Sequence, residues 1–483
     1  MPDTHLPATP TTSIKPQLAK IPPIPQFSME RKLSSPMAPT FMVSAPGKAI
    51  VFGEHAAVYG KPAIAAAISL RSYLLVTTLS KSRRTVQLNF RDIGLNHTWE
   101  IDALPWNVFH QPPKRRSYYS VVESLDSQFL EAIMPHAEAV SKDLPEKQRK
   151  IHIKSATAFL YLFLSLSSSA SPGFIYTLRS TIPIGAGLGS SASVCVCLSA
   201  ALLLQIRALA GPHPDQPPKE AAIQIEHINR WAFVGEMCIH GDPSGVDNTV
   251  SAGGKAVMFQ RNASGPPSVI RLTKFPKLRL LLVDTQQQRS TGVQVEKVKT
   301  LSTNHPEITE IILDGIGKIA TSALDLMSLA DVSDSDALGH WGSLIGMNHG
   351  FLVSLGVSHP RLERIRELVD YANIGWTKLT GAGGGGCAIT LFRPDTEDKT
   401  IEELERKFTA EGFQTYETIL GADGVGVLWP AVFRNGTDGE AEEIDQNTFE
   451  NADGVHGIDQ LVGVGVQENR EGWKFWTRDV SPR

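Results

Sequence analysis

Four short stretches hold the side chains and glycines of this 483-residue chain whose types and spacing could handle a phosphate or a proton. In "SAPGKAIVFGEHAAVYGKPAIAAAI" (Ser44 to Ile68) a lysine follows a Pro-Gly turn and enters an apolar run that ends at Gly-Glu-His. Lys48, Glu54 and His55 are charged or titratable groups adjoining apolar neighbours, and such groups are seldom buried without a partner. One reading pairs Lys48 with Glu54; the other aims a cation and an imidazole at an anionic substrate. In "GEMCIHGDPSGVDNTVSAGGKAVMF" (Gly235 to Phe259) a helical stripe ends in a Gly/Pro/Ser-rich loop carrying Asp242 and Asp247. Aspartate is common in turns because it hydrogen-bonds locally. Glu236 lies one step off the stripe and reads equally well as a solvated glutamate.

The third stretch, "PIGAGLGSSAS" (Pro183 to Ser193), precedes an apolar helical stripe. Gly185, Gly187 and Gly189 let the backbone approach an anion, and the amides of Leu188 to Ala192 open a helix with unpaired N–H groups. The stretch is neither G-x-x-x-x-G-K-[ST], because no lysine follows, nor G-x-G-x-x-G, because Ser190 stands at the last glycine. Ser190 and Ser191 could instead be an N-cap pair. The fourth, "KLTGAGGGGCAITL" (Lys378 to Leu391), is nearly bare of side chains at Gly381 and Gly383 to Gly386. That favours close backbone approach over a slack hairpin.

The elements that must position these groups follow a mixed α/β pattern. Short β-like runs occur at 41–45, 49–53, 86–90, 278–284, 387–392 and 425–429. Helical stripes run through Ile225, Ile228, Ala232, Gly235 and Ile239, and through Leu362, Ile365, Leu368, Val369 and Ala372. At 42% apolar residues, the chain has material for two substantial cores. A break falls near 260–277, where "QRNASGPPS" interrupts the pattern. Residues 1–39 are rich in Pro, Ser and Thr and read as a disordered arm. Residues 436–483 read as an acidic, solvated tail with a "GWKFW" cluster near its end. The polar stretch 112–150 reads as an insertion.

Several classes are disfavoured. A net charge of −4 gives no basic footprint for nucleic acid. The apolar run from Ala156 is interrupted by serines and falls short of the ~20 residues a bilayer span needs, so a buried helix is expected. The four cysteines have no C-x-x-C spacing, which fits a reducing compartment without a zinc site. No secretory pattern opens the chain, and cytoplasmic placement is expected.

Taken together, "PGKAIVFGEH", "PIGAGLGSSAS", "SGVDN" and "LTGAGGGGC", in that order, resemble the GHMP kinase superfamily. Within it the first segment, "HGDPSGVDNTVSAGGKAV" and "TKLTGAGGGGCAITL" are similar to the mevalonate kinases. The resemblance covers about Phe41 to Pro430. It implies an α+β fold of two domains with the active-site cleft between them, here an N-terminal ATP-binding domain at 40–265 and a C-terminal domain at 270–435. It implies ATP-dependent phosphorylation of the C5 hydroxyl of (R)-mevalonate. Another small-molecule kinase of the superfamily, or a non-catalytic ligand sensor, is the alternative.

Carried over residue by residue, the resemblance gives the ATP phosphates to Pro183, Gly185, Ala186, Gly187, Leu188, Gly189, Ser190, Ser191, Ala192 and Ser193. Ser191 and Glu236 would be ligands of Mg2+, a hard cation suited to hydroxyl and carboxylate oxygens. Asp247 would accept the hydroxyl proton beside Lys48. A carboxylate of pKa ~4 is a poor base for an alcohol, so the lysine must stabilise the emerging alkoxide. Lys48, Glu54, His55 and Thr291 would contact mevalonate. The resemblance further implies a homodimer and feedback inhibition by isoprenoid diphosphates.

Overall fold

The computed structural model describes residues 39–476, apart from 81, 113–115, 263–266, 289, 330–334, 436–440 and 465–469. The arm expected over 1–39 lies, but for its last residue, outside the described residues. The expected runs at 41–45 and 49–53 are one strand, Phe41–Phe52, which bulges at the Pro-Gly turn where its register with Ala63–Thr78 shifts between Pro46 and Lys48. Ala63–Thr78 is a 16-residue strand where the sequence pattern shows no β-like run. Its alanines lack the β-branched signature, yet it is buried along most of its length.

A 13-stranded sheet spans both halves of the chain. Ala63–Thr78 is its hub, pairing antiparallel with Phe41–Phe52, Phe174–Ser180 and Ala256–Gln260. The second half adds Gln414–Leu420, Leu278–Asp284, Cys387–Phe392 and Gly375–Leu379 in that order. The first half is roofed by the helices Glu146–Leu166, Ser190–Gln205 and Pro218–His240. Glu146–Leu166 contains the apolar run from Ala156, which is a buried helix as expected.

The two expected domains meet near the 260–277 break and share strand pairing and a core. Leu420 pairs with Ile68 across it, and Phe52, Ile64 and Ile68 share a core with Leu280, Leu282, Trp341 and Ile389. The chain then returns to the first half, where Gly426–Leu428 pairs with Phe41–Phe52, so the 270–435 span is divided between the halves. The 112–150 stretch is only partly an insertion, because Phe129, Ile133 and Ala137 of the helix Ser127–Ala137 are buried in the first core.

The solvated tail after 435 is a correction. Among the described residues there, Ile444, Phe449, Ile458, Val462 and Trp476 are at most 4% exposed. All but Trp476 join a core with Met42, Tyr73, Leu75 and Leu428. Lys474–Phe475 pairs with Gly426–Leu428 as a further edge strand, and the Trp473 indole N–H donates to the Val462 carbonyl at 2.9 Å. The acidic composition outweighed these sparse apolar residues in the sequence. Their burial follows from the apolar sheet face that they meet.

Candidate active site

Strand Phe174–Ser180 feeds the loop that begins at Pro183. Gly185, Gly187 and Gly189 adopt φ of 77°, 79° and 73°, and Gly189 is the N-cap of the helix Ser190–Gln205, with no side-chain cap. Ser190 and Ser191 therefore lie inside the first turn instead of capping it. The amides at this helix start are left for an outside acceptor. A side chain at Gly189 would place its Cβ 3.0 Å from Lys48 Cγ and 3.7 Å from Asp247 Oδ2, so only glycine lets the loop close on that pair. The Lys48 amide also donates to the Leu188 carbonyl at 2.8 Å, locking the Pro-Gly turn to the loop.

Lys48 and Asp247 form an ion pair, with Nζ 3.3 Å from Oδ1, in which the lysine side chain is 9% exposed and the aspartate 34%. Asp247 lies in the first turn of Val246–Gly253, where the helix end favours a carboxylate. The expected alternative of a Lys48–Glu54 pair is thereby overturned. Glu54 is committed elsewhere: Oε1 accepts from Lys378 Nζ in an ion pair with both side chains fully buried, and Oε2 accepts from Asn348 Nδ2 at 3.1 Å. Lys378 Nζ also donates to the Leu379 carbonyl at 2.8 Å. Burial pulls its pKa below the usual lysine range, opposed by the Glu54 charge.

His55 follows in the left-handed region at φ 59°, and its Nε2 lies 2.8 Å from the Ala382 carbonyl. A carbonyl only accepts, so Nε2 carries the proton. Burial lowers the His55 pKa, which leaves Nδ1 as an acceptor in the neutral ring. In the glycine-rich loop, an added Cβ would sit 2.1 Å from the Val357 carbonyl oxygen at Gly383 and 2.2 Å from Gln294 Nε2 at Gly384. Close backbone approach, not slackness, explains these glycines.

Glu236, on Pro218–His240, is 3% exposed behind Ser191. Burial, then the Asp247 charge, pushes its carboxyl up to about 7, while Ser191 and Lys48 hold it down. Ser191 Oγ lies 3.0 Å from His240 Nε2. Among the described residues no three His, Cys, Asp or Glu side chains cluster as a cage. Mg2+ needs none, since it is commonly held by one or two carboxylates with phosphates and waters. A hydroxyl beside a carboxylate whose ionised form is disfavoured by a second carboxylate is a donor set that fits this ion.

Lys48, Glu54, His55, Asp247 and Thr291 line one cleft of about 760 Å3, together with Pro183, Gly185 and Gly187 to Ser191. Ala186, Ala192 and Ser193 of the expected phosphate set are buried, and the Ser193 hydroxyl donates to the Ala45 carbonyl at 2.6 Å. Asp242 stays exposed in its loop. Lys378, Asn348, His240, Lys154 and Arg261 carry no functional signal in the sequence, although the last three also line the cleft. His240 and Lys378 stand inside the quoted motifs. Their roles come from contacts that spacing does not specify.

An uncapped glycine loop at a helix start, beside a lysine–carboxylate pair in a cleft, defines a small-molecule kinase of the GHMP class. Models of the GHMP kinase N-terminal domain and the GHMP kinase C-terminal region match residues 152–255 and 333–410. The chain is 69% identical to the mevalonate kinase of Aspergillus fumigatus over 462 residues, covering 94% of this chain and 85% of that one. It is 60% identical to that of Gibberella zeae, covering 93% and 90%. The fold is similar to L. major mevalonate kinase solved in complex with R-mevalonate, with a TM-score of 0.56, 21% identity and coverage of 81% of this chain and 100% of that one. The chain belongs to the mevalonate kinase family. No helix among the described residues is long and apolar enough to cross a membrane.

Proposed function

We propose that this chain transfers the γ-phosphoryl group of ATP to the C5 hydroxyl of (R)-mevalonate, giving 5-phosphomevalonate and ADP. The Lys48–Asp247 pair against Gly189 carries this reading, because it sets a proton acceptor and a cation at the mouth of an anion-binding loop. The hydroxyl proton passes to Asp247 Oδ as the oxygen bonds to phosphorus and the bond to the β-phosphate oxygen breaks. Lys48 stabilises the alkoxide that develops, which lets a weak base serve. Phosphoryl transfer asks mainly for positioning and charge neutralisation. The loop amides hold phosphate oxygens, and the apolar cleft wall of Leu88, Phe90, Ile93, Ile151 and Leu178 takes the base.

Ser191 and Glu236 are the residues we assign to Mg2+, which when bound neutralises phosphate charge. His240, whose Nε2 lies 3.0 Å from Ser191 Oγ, would orient that hydroxyl. His55 and Thr291 face mevalonate. The neutral His55 ring suits a substrate hydroxyl as donor to Nδ1, and Glu54 acts by fixing the turn that carries His55. Isoprenoid diphosphates pair a diphosphate with an apolar tail, and the loop and the apolar wall would accept both, in competition with ATP. The homodimer would cover Ile308 and Ile311, which are 64% and 68% exposed on Pro306–Leu329. We place the enzyme in the cytoplasm.

ADP release measured with (R)-mevalonate, galactose, homoserine and phosphomevalonate tests the assignment. Turnover is expected with mevalonate alone, since the C5 oxygen of phosphomevalonate is already esterified. Comparable turnover with galactose, or none with mevalonate, would overturn it.

A further inference from the structure

Arg179 sits four residues before Pro183, on the strand that feeds the phosphate loop, and is 5% exposed. Its Nε donates to Asp92 Oδ1 at 2.9 Å, and Asp92 Oδ2 accepts the Ser180 amide at 2.7 Å. From the opposite side, its Nη1 meets the carbonyls of Phe449, Glu450 and Ala452 at 3.2, 2.7 and 3.0 Å. These are the last-turn and following carbonyls of the C-terminal helix Gln446–Asn451, where a cation is favoured. Arg91 Nη1 adds a bond to Asn451 Oδ1.

The short turn Arg91–Ile93 is therefore fixed from two sides. The C-terminal segment holds Arg91, and holds Asp92 through Arg179. The helix Glu146–Leu166 holds Ile93, whose carbonyl lies 2.8 Å from His152 Nε2. Asp92, Ile93 and Ser180 line the cleft on its apolar side, and Ile151 and Lys154 of that helix line it too. Among the described residues, none beyond Asn435 lines the cleft. Phe449 is fully buried in the separate core that docks the segment.

We propose that the C-terminal segment braces the nucleotide end of the cleft, with Arg179 and Asp92 as the positioning residues that transmit its docking to the Arg91–Ile93 wall and to the strand entering the phosphate loop. This rests on the reading that the apolar end takes the base of ATP. The buried Arg179 guanidinium is the link: with Phe449 undocked, its three carbonyl acceptors move away. A desolvated cation then has to find new partners. Both structures beside the nucleotide, the turn and the strand end, hang on the same Asp92 carboxylate.

The test uses the full chain, with Arg179→Lys, Asp92→Asn and Phe449→Ala. The ATP dissociation constant is measured by calorimetry without mevalonate, and KM for mevalonate at saturating ATP. All three variants should weaken ATP by about three- to thirtyfold while KM for mevalonate moves by less than about twofold. Combining Phe449→Ala with Arg179→Lys should cost less than the product of the singles, because they act through one contact. Folded variants that bind ATP within about twofold of the parent would overturn the proposal, and so would an equal rise in KM for mevalonate. Should Phe449→Ala fail to fold, Arg179→Lys and Asp92→Asn decide the question by the same readings. A parent that binds ATP but does not phosphorylate mevalonate would defeat the functional assignment and leave the brace standing.

Discussion

Replacing Lys378 by methionine keeps an unbranched apolar stem of similar volume and removes the ammonium, with its charge and its N–H donors. In the native protein both side chains of the Lys378–Glu54 pair are 0% exposed. The substitution leaves Glu54 with one neutral donor, Asn348 Nδ2, and leaves the Leu379 carbonyl without its ammonium. Breaking a buried ion pair costs about 3–5 kcal/mol. A second route gives a similar figure and adds a pH signature. The stranded carboxylate can escape its charge by taking up a proton, and for a glutamate of ordinary pKa about 4.3 this costs about 3.7 kcal/mol at pH 7 and about 1.6 kcal/mol at pH 5.5. In that variant the folded state binds the extra proton, so its stability deficit grows with pH by about 1.4 kcal/mol per unit. Urea unfolding followed by tryptophan fluorescence at pH 5.5 and 7 measures the deficit, and Trp341 and Trp376 report from the same half. The double variant Lys378→Met with Glu54→Leu should recover to within about 2 kcal/mol of the parent and lose the pH dependence, since only neutral polar groups remain unpaired. A deficit in Lys378→Met that is independent of pH, or a double variant as unstable as the single, would refute the reasoning.

Asp247→Asn should lower kcat by about a hundredfold or more with little change in ATP binding, as general-base contributions are typically of order 10²–10⁴. Lys48→Met should also depress kcat, and the double variant should lose less than the product because both act on one alkoxide. Near-normal turnover in Asp247→Asn would make Asp247 a turn residue. Ser191→Ala and Glu236→Gln should raise the Mg2+ needed for half-maximal activity more than they raise KM for mevalonate; an unchanged magnesium titration in both would reject them as ligands. For Glu236, whose carboxyl is raised to about 7, the folded state holds the proton more tightly than the unfolded one. Its contribution is full below about pH 4.5 and is lost as pH rises through 7. The thermal midpoint of protein free of metal and nucleotide should therefore fall from pH 6 to 8 more in the parent than in Glu236→Gln, and Mg2+ affinity should rise over the same range.

Much of the candidate site is legible in the sequence because its chemistry is written locally. Gly185, Gly187 and Gly189 need positive φ that other residues resist, and a helix start with unpaired amides follows from where the apolar stripe begins. Lys48 after its Pro-Gly turn and Asp247 in its loop were readable as candidates for the same reason. Their pairing was not. The choice of Asp247 over Glu54 as the partner of Lys48 depends on how the helix Val246–Gly253 packs against the strand Phe41–Phe52. Glu54 meets Lys378 across 324 residues, and Arg179 meets Ala452 across 273. Charge partners at such separations are selected by the three-dimensional packing of apolar faces, and no spacing rule encodes it. The same holds for the C-terminal segment, whose sparse Phe449, Ile458 and Trp476 acquire meaning only against the sheet face and core they cover. From sequence alone come the candidates for phosphate binding and proton transfer; tertiary structure decides which carboxylate pairs with Lys48, which pair is sealed in the core, and that the described residues of the C-terminal segment pack on the body.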